Sequence, residues 1–214
     1  NMTVAVKICG LGTPQSVAVA VEGGAAMLGF VFFAKSPRAI TPDQLPELTA
    51  KVPDSVIRVG LFVDASDDDI AAAVNTGCLD MLQLHGSETP GRVAGIKEKF
   101  GLAVMKALPI ADAGDVTAAR QYEISADRLL FDARAPQGAD RPGGNARPFD
   151  WSLLNGAEEV LPWMLAGGLN ADNLAEAVRI SGATAVDVSS GVEDGPGVKS
   201  ADKIRQFLNL AASL

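Results

Sequence analysis

Two side chains have the chemistry of a base and an acid. Cys9 closes the apolar run Val4–Cys9, and Asp132 closes the run Arg128–Asp132 just before a long Gly- and Pro-bearing connection. A thiol ionises near pH 8.5, so a few per cent is already thiolate, a usable base, at neutral pH. A carboxyl is a common proton donor in general acid catalysis. Side chains alternate along an extended run. Ala5, Lys7 and Cys9 therefore share one face, and the branched Val4, Val6 and Ile8 share the other. Lys7, on the face of Cys9, would favour the thiolate electrostatically. Each residue also has a plainer reading: Cys9 as an inert buried thiol, Asp132 as a turn former at a strand end. An acid and a base on opposite sides of one substrate are what proton transfer needs, so a fold that brings the two to one mouth favours the chemical reading.

An anion site is the second expectation. Leu165-Ala166-Gly167-Gly168-Leu169-Asn170 and Val188-Ser189-Ser190-Gly191-Val192-Glu193 each follow a β-branched or apolar run. Glycines allow backbone N–H groups to approach a phosphate, and a helix N-terminus adds a favourable dipole. Gly167, Gly168, Ser189, Ser190 and Gly191 are the candidates, the plainer reading being simple turn chemistry. Arg38, in Ser36-Pro37-Arg38, could fork onto a substrate carboxylate or lie on the surface. Asp187 should point inward, where a sugar hydroxyl or Lys7 would satisfy it. His85, the only histidine, ends Leu82-Gln83-Leu84-His85 as a structural donor or a ligand contact, and Cys78 reads as core.

These residues need elements to position them. Eight apolar runs recur: Val4–Cys9, Met27–Phe32, Ile57–Val63, Met81–His85, Ala103–Leu108, Arg128–Asp132, Trp163–Ala166 and Ala185–Ser189. Helical segments lie between them: Pro14–Glu22, Pro42–Lys51, Asp67–Asn75, Thr89–Phe100, Asp112–Gln121, Asp172–Ile180 and Ala201–Ala212, with a shorter one at Asp150–Leu154. Pro14 and Pro42 each follow Thr, a good N-cap and N1 pair. Gly24, Gly77 and Gly182 each stand between a helix and the next strand, where the left-handed conformation suits glycine. Strict strand–helix alternation implies a parallel sheet. Eight units over residues 1–214 predict one domain, a (β/α)8 TIM barrel, whose chemistry sits at the C-terminal strand ends. The competing doubly wound sheet expects a Gly-rich fingerprint after strand one, and Gly10-Leu11-Gly12-Thr13-Pro14-Gln15 lacks its third glycine. The connection Ala133 to Phe149 is long enough to serve as a lid.

Composition excludes several classes. The 214 residues are 48% hydrophobic and 21% charged, which supports a large core. With 26 acidic and 18 basic residues the net charge is −8, which argues against a nucleic-acid surface. No apolar stretch is long enough for a bilayer, and no secretory segment is expected. Cys9 and Cys78 stand in no metal-ligand cluster, so the expectation is a metal-free, cofactor-free protein of the reducing cytoplasm. A phosphorylated small molecule is the expected partner. A monomer with no obligatory partner is expected.

The order of motifs adds a resemblance. Lys7-Ile8-Cys9-Gly10, Gly29-Phe30-Val31-Phe32 with Ser36-Pro37-Arg38, Gly60-Leu61-Phe62-Val63, Leu82-Gln83-Leu84-His85-Gly86, Leu130-Phe131-Asp132, Phe149-Asp150-Trp151, Leu165-Ala166-Gly167-Gly168-Leu169 and Val186-Asp187-Val188-Ser189-Ser190-Gly191-Val192-Glu193 run from strand one to strand eight. Together they resemble the phosphoribosylanthranilate isomerases of tryptophan biosynthesis. The resemblance implies a cofactor-free Amadori rearrangement, with Asp132 as general acid and Cys9 as general base. It implies that Arg38 meets the anthranilate carboxylate, that Gly167, Gly168, Ser189, Ser190 and Gly191 hold the phosphate, and that Asp187 lies near the ribose. One departure is Gly143-Gly144-Asn145-Ala146, where the family commonly has Gly-Gly-x-Gly; Ala146 cannot adopt glycine-only angles cheaply. Alternatives are another phosphate-binding barrel enzyme of tryptophan or histidine biosynthesis, which Cys9 disfavours, and a non-catalytic phosphosugar-binding barrel.

Overall fold

The computed structural model describes residues 3–133, 149–157 and 160–214. Strands β1 (Ala5–Cys9), β2 (Met27–Val31), β3 (Ile57–Phe62), β4 (Met81–Leu84), β5 (Ala103–Ile110), β6 (Arg128–Ala133), β7 (Trp163–Ala166) and β8 (Ala185–Val188) pair in that order into a closed barrel. Parallel pairing of β1 with β8 closes the ring, with Lys7 opposite Asp187. All eight expected strands are present, with ends shifted by a residue or two.

The helices start where their caps direct. Thr13, Ser66, Thr89 and Ser200 each accept a backbone N–H at the head of α1 (Pro14–Glu22), α3 (Asp67–Val74), α4 (Pro90–Phe100) and α7 (Ala201–Ala212). The expected helix Pro42–Lys51 is broken into a tight turn, Pro42–Gln44, and α2 (Leu45–Thr49). Pro46 has no N–H to donate back, so the helical ladder restarts there. Likewise α5 (Ala113–Ala118) tightens into a 3-10 turn over Ala119–Tyr122. The expected helix Asp172–Ile180 is α6 (Leu174–Ser181), and Asp150–Leu154 is a short 3-10 turn at Trp151–Leu154. Gly24, Gly77 and Gly182 all have φ between 71° and 88°, which a side chain would resist. A small hairpin, β9 (Glu193–Gly195) with β10 (Val198–Lys199), follows β8 and had no counterpart in the sequence reading.

Two apolar layers result. Val6, Ile8, Leu28, Phe30, Leu82 and Phe131 pack outward against the helices, while Met27, Val59, Met81, Met105, Leu130 and Met164 fill the barrel. Val4, Val6 and Ile8 face the helices, as the branched side chains required. The connection expected to act as a lid, including Gly143 to Ala146, lies outside the described residues apart from its ends. Among the described residues no helix is long and apolar enough to cross a membrane.

Candidate active site

A cavity of about 630 Å³ opens at the C-terminal ends of the strands, a volume that suits a small ligand. Cys9, Arg38, His85, Asp132, Gly167, Gly168, Asp187, Ser189 and Ser190 all line it. Thus nearly every candidate residue converges on one mouth, from sequence positions almost the length of the chain apart.

On the β1 side, Lys7 is fully buried and its Nζ donates to Asp187 Oδ1 at 2.9 Å. Burial alone would push the ammonium down, but Asp187 and Cys9 hold it above its usual range. Cys9 stands above it, 4% exposed. Lys7 does favour its thiolate, as expected, but burial outweighs it. Burial pushes the thiol up, Lys7 pulls against it, and Asp187 raises it further. The lysine is paired with its carboxylate, which opposes its field at the sulfur, and burial prevails. Gly29, opposite Cys9 on β2, makes room for both groups. A Cβ there would stand 2.8 Å from Cys9 Sγ and 3.1 Å from Lys7 Nζ.

Across the mouth, Asp132 at the end of β6 is 5% exposed. His85 Nε2 lies 3.4 Å from its Oδ2, and Gln83 Nε2 lies 3.0 Å from His85 Nδ1. His85 is therefore placed beside the candidate acid.

The third corner is built from glycine loops. Gly167 and Gly168 both have positive φ, 102° and 66°. A Cβ on Gly167 would strike the Ala133 backbone at 2.5 Å, whereas one on Gly168 would meet nothing within 4 Å. The first glycine is required by packing, and the second needs only its left-handed backbone and borders the cavity. Asn173 braces this loop, donating to Gly168 O and accepting from the Asn170 amide. Gly191 cannot carry a side chain either, since its Cβ would overlap Leu169 O. The helix end directly beside Ser189 is the 3-10 turn Ser190–Val192; α6 begins at Leu174, after the Asn170–Asn173 turn.

Arg38 does fork, but onto a protein carboxylate. Its Nε and Nη2 reach Glu193 Oε2 and Oε1 at 2.8 and 2.6 Å, leaving Nη1 outside that pair. Lys199 Nζ also reaches Glu193 Oε2 at 2.7 Å and Ser189 O at 3.0 Å. Arg38 and Lys199 hold the Glu193 carboxyl below its usual range despite burial. Gln83, Gly29, Glu193 and Lys199 escaped the sequence reading. Gln83 could have been found, since a polar residue inside an apolar strand shares the inward face with His85. Glu193 carried no such signal, because its partner Arg38 is 155 residues away, and Lys199 binds the site only through Glu193 and Ser189. Cys78 is half-buried against the core and away from the mouth.

Fold and mouth together define a (β/α)8 barrel with a thiol, a carboxyl and glycine loops converging on one small-molecule cavity. The family model described as N-(5'phosphoribosyl)anthranilate (PRA) isomerase matches residues 6–210. An N-(5'-phosphoribosyl)anthranilate isomerase of Paramagnetospirillum magneticum is 56% identical over 210 residues, 98% of each chain. That of Rhodospirillum centenum is 53% identical over the full length of both. The crystal structure of phosphoribosyl anthranilate isomerase from Thermotoga maritima superposes with a TM-score of 0.87 at 35% identity, covering 99% of this chain and 100% of that one. A crystal structure of the same kind of isomerase in complex with reduced 1-(o-carboxyphenylamino)-1-deoxyribulose 5-phosphate aligns with a TM-score of 0.84 at 34% identity, again over 99% and 100%. The chain belongs to the N-(5'-phosphoribosyl)anthranilate isomerase family.

Proposed function

We propose that Asp132 and Cys9 divide the proton transfers of an Amadori rearrangement between them, Asp132 as general acid and Cys9 as general base. The chain is an isomerase of tryptophan biosynthesis, acting on N-(5-phosphoribosyl)anthranilate to form 1-(2-carboxyphenylamino)-1-deoxyribulose 5-phosphate. Asp132 gives its proton to the ribose ring oxygen. The C1–O bond breaks, and the anthranilate nitrogen lone pair closes a C1=N iminium. Cys9 thiolate then takes the proton from C2, and that electron pair forms the C1=C2 bond of an enolamine. Loss of the C2 hydroxyl proton and protonation at C1 give the ketone.

The observation that carries this reading is the convergence of Cys9 and Asp132 on one cavity from β1 and β6. It also accounts for the raised thiol. The iminium places a positive charge beside the sulfur only after the ring has opened, so the thiolate is favoured when its base is needed. Ligand contacts divide by chemistry. Gly167, Gly168, Ser189, Ser190 and Gly191 offer amides to the phosphate. Arg38, anchored by Glu193, presents Nη1 to the anthranilate carboxylate. Lys7, Asp187 and His85 line the ribose. We further read the chain as a single-domain, monomeric, cytoplasmic catalyst that needs no metal or cofactor.

The test is complementation of a tryptophan auxotroph lacking this isomerase, followed by Cys9→Ala and Asp132→Asn in the purified enzyme. General acid–base groups are worth ~10²–10⁴-fold. Both variants should lose at least that much turnover while still binding a product analogue. Either variant within a fewfold of wild type would remove that residue from its role.

A further inference from the structure

Gln83 and His85 lie two residues apart on β4 and its end, so they share the barrel's inward face. Gln83 is wholly buried, in a strand whose other members are Met81, Leu82 and Leu84. An amide placed there is costly unless its polar atoms are used. Its Nε2 lies 3.0 Å from His85 Nδ1, while its Oε1 is buried with no partner among the described residues. His85 Nε2 lies 3.4 Å from Asp132 Oδ2. The three side chains make a row from the barrel interior to the acid at the mouth.

The amide's orientation decides where the imidazole proton sits. It is Nε2 that faces the ring. An amide nitrogen can only donate, so Nδ1 must accept. Gln83 therefore donates to a bare Nδ1, and the proton of the neutral ring is on Nε2, facing Asp132.

We infer that Gln83 is a positioning residue for Asp132, acting through the tautomer of His85. The inference rests on the reading of Asp132 as general acid. Nε2–H donates to Oδ2 and holds the carboxyl, whose proton is destined for the ribose oxygen. In the other tautomer a bare Nε2 would accept that proton and withdraw it from the substrate. As that proton leaves, negative charge grows on the carboxylate and the bond from Nε2–H strengthens. The interaction is thus made mainly in the transition state. The resting separation of 3.4 Å is long, as catalytic hydrogen bonds often are before the substrate complex tightens them.

His85 is the only histidine in the chain, so an ¹⁵N-histidine spectrum of the whole protein reads this ring alone. Recorded at alkaline pH, it should show the Nε2–H tautomer; an Nδ1–H ring overturns the inference outright, without any variant. Gln83→Glu presents only acceptors and should move the proton to Nδ1. It should lower kcat about tenfold or more, ~1.4 kcal/mol of transition-state stabilisation, with KM changed less than threefold or so. Gln83→Leu should also lower kcat, by removing the bias. If Asp132→Asn is inactive yet Gln83→Glu switches the tautomer and keeps wild-type kcat, this inference alone falls. If Asp132→Asn is active, the acid reading fails and takes this one with it.

Discussion

Gly29→Ala should disable the enzyme while leaving it folded. The added Cβ would stand 2.8 Å from Cys9 Sγ, 3.1 Å from Cys9 Cα and 3.1 Å from Lys7 Nζ. Relaxed contact between such atoms is about 3.5–4.0 Å, so something must move by roughly 0.7–1.2 Å. The Cys9 backbone is pinned opposite Gly29 in the β1–β2 ladder. Lys7 is pinned by Asp187. The thiol is what remains free to rotate, and rotation takes it off the line to the substrate. A misplacement of about 1 Å can cost on the order of 10²-fold in rate, or ~2.7 kcal/mol. Overpacking a barrel interior costs ~1–3 kcal/mol of stability, and each kcal/mol lowers Tm by about 2–4 °C in a chain this long. The assay pairs steady-state kinetics with thermal unfolding. It should show kcat down about a hundredfold, KM changed by only a fewfold, and a single cooperative melt several degrees lower. Gly12→Ala is the control, since its Cβ would meet Ile40 at an ordinary 3.7 Å; it should change neither. Wild-type kcat in Gly29→Ala would refute the argument that the thiol's placement is limited by that missing side chain.

The raised Cys9 thiol predicts that kcat/KM climbs with pH and keeps climbing beyond the ~8.5 of an ordinary thiol; a plateau reached below that value would contradict it. Stability should run the other way. The folded thiol keeps its proton to higher pH than the unfolded one, so its contribution is intact below about 8.5 and lost as pH rises through the folded value, which urea titrations across that range would show. Glu193→Gln removes the charge that anchors Arg38 and should raise KM about tenfold, ~1.4 kcal/mol, with kcat kept; an unchanged KM would detach either Glu193 from Arg38 or Arg38 from the substrate. Gly168→Asp sets negative charge at the rim of the cavity and should sharply weaken inhibition by inorganic phosphate, whereas Arg38→Ala should leave that inhibition nearly unchanged. The reverse pattern would mean the ligand lies the other way round in the mouth.

The elements themselves were legible because their causes are local. Alternation in Val4–Cys9 already separated the helix-facing valines from Lys7 and Cys9, since successive Cβ atoms must point to opposite faces. Thr13, Ser66, Thr89 and Ser200 marked helix starts because a cap acts within three residues. Eight alternating units without a dinucleotide fingerprint favoured the barrel over an open sheet, and a barrel puts the strand ends carrying Cys9, Asp132 and the glycine loops at one mouth. Tertiary structure alone decided the rest. Arg38 found Glu193 only after β8 closed against β1, and Lys199 joined them through a hairpin too short to show a strand pattern. Gln83 acquired a purpose only when His85 and Asp132 met across the barrel. The sign of the Cys9 shift could not be read from Lys7 being nearby. It depends on how completely water is excluded and on Asp187 opposing the lysine's field, and both are properties of the closed barrel rather than of any segment of chain.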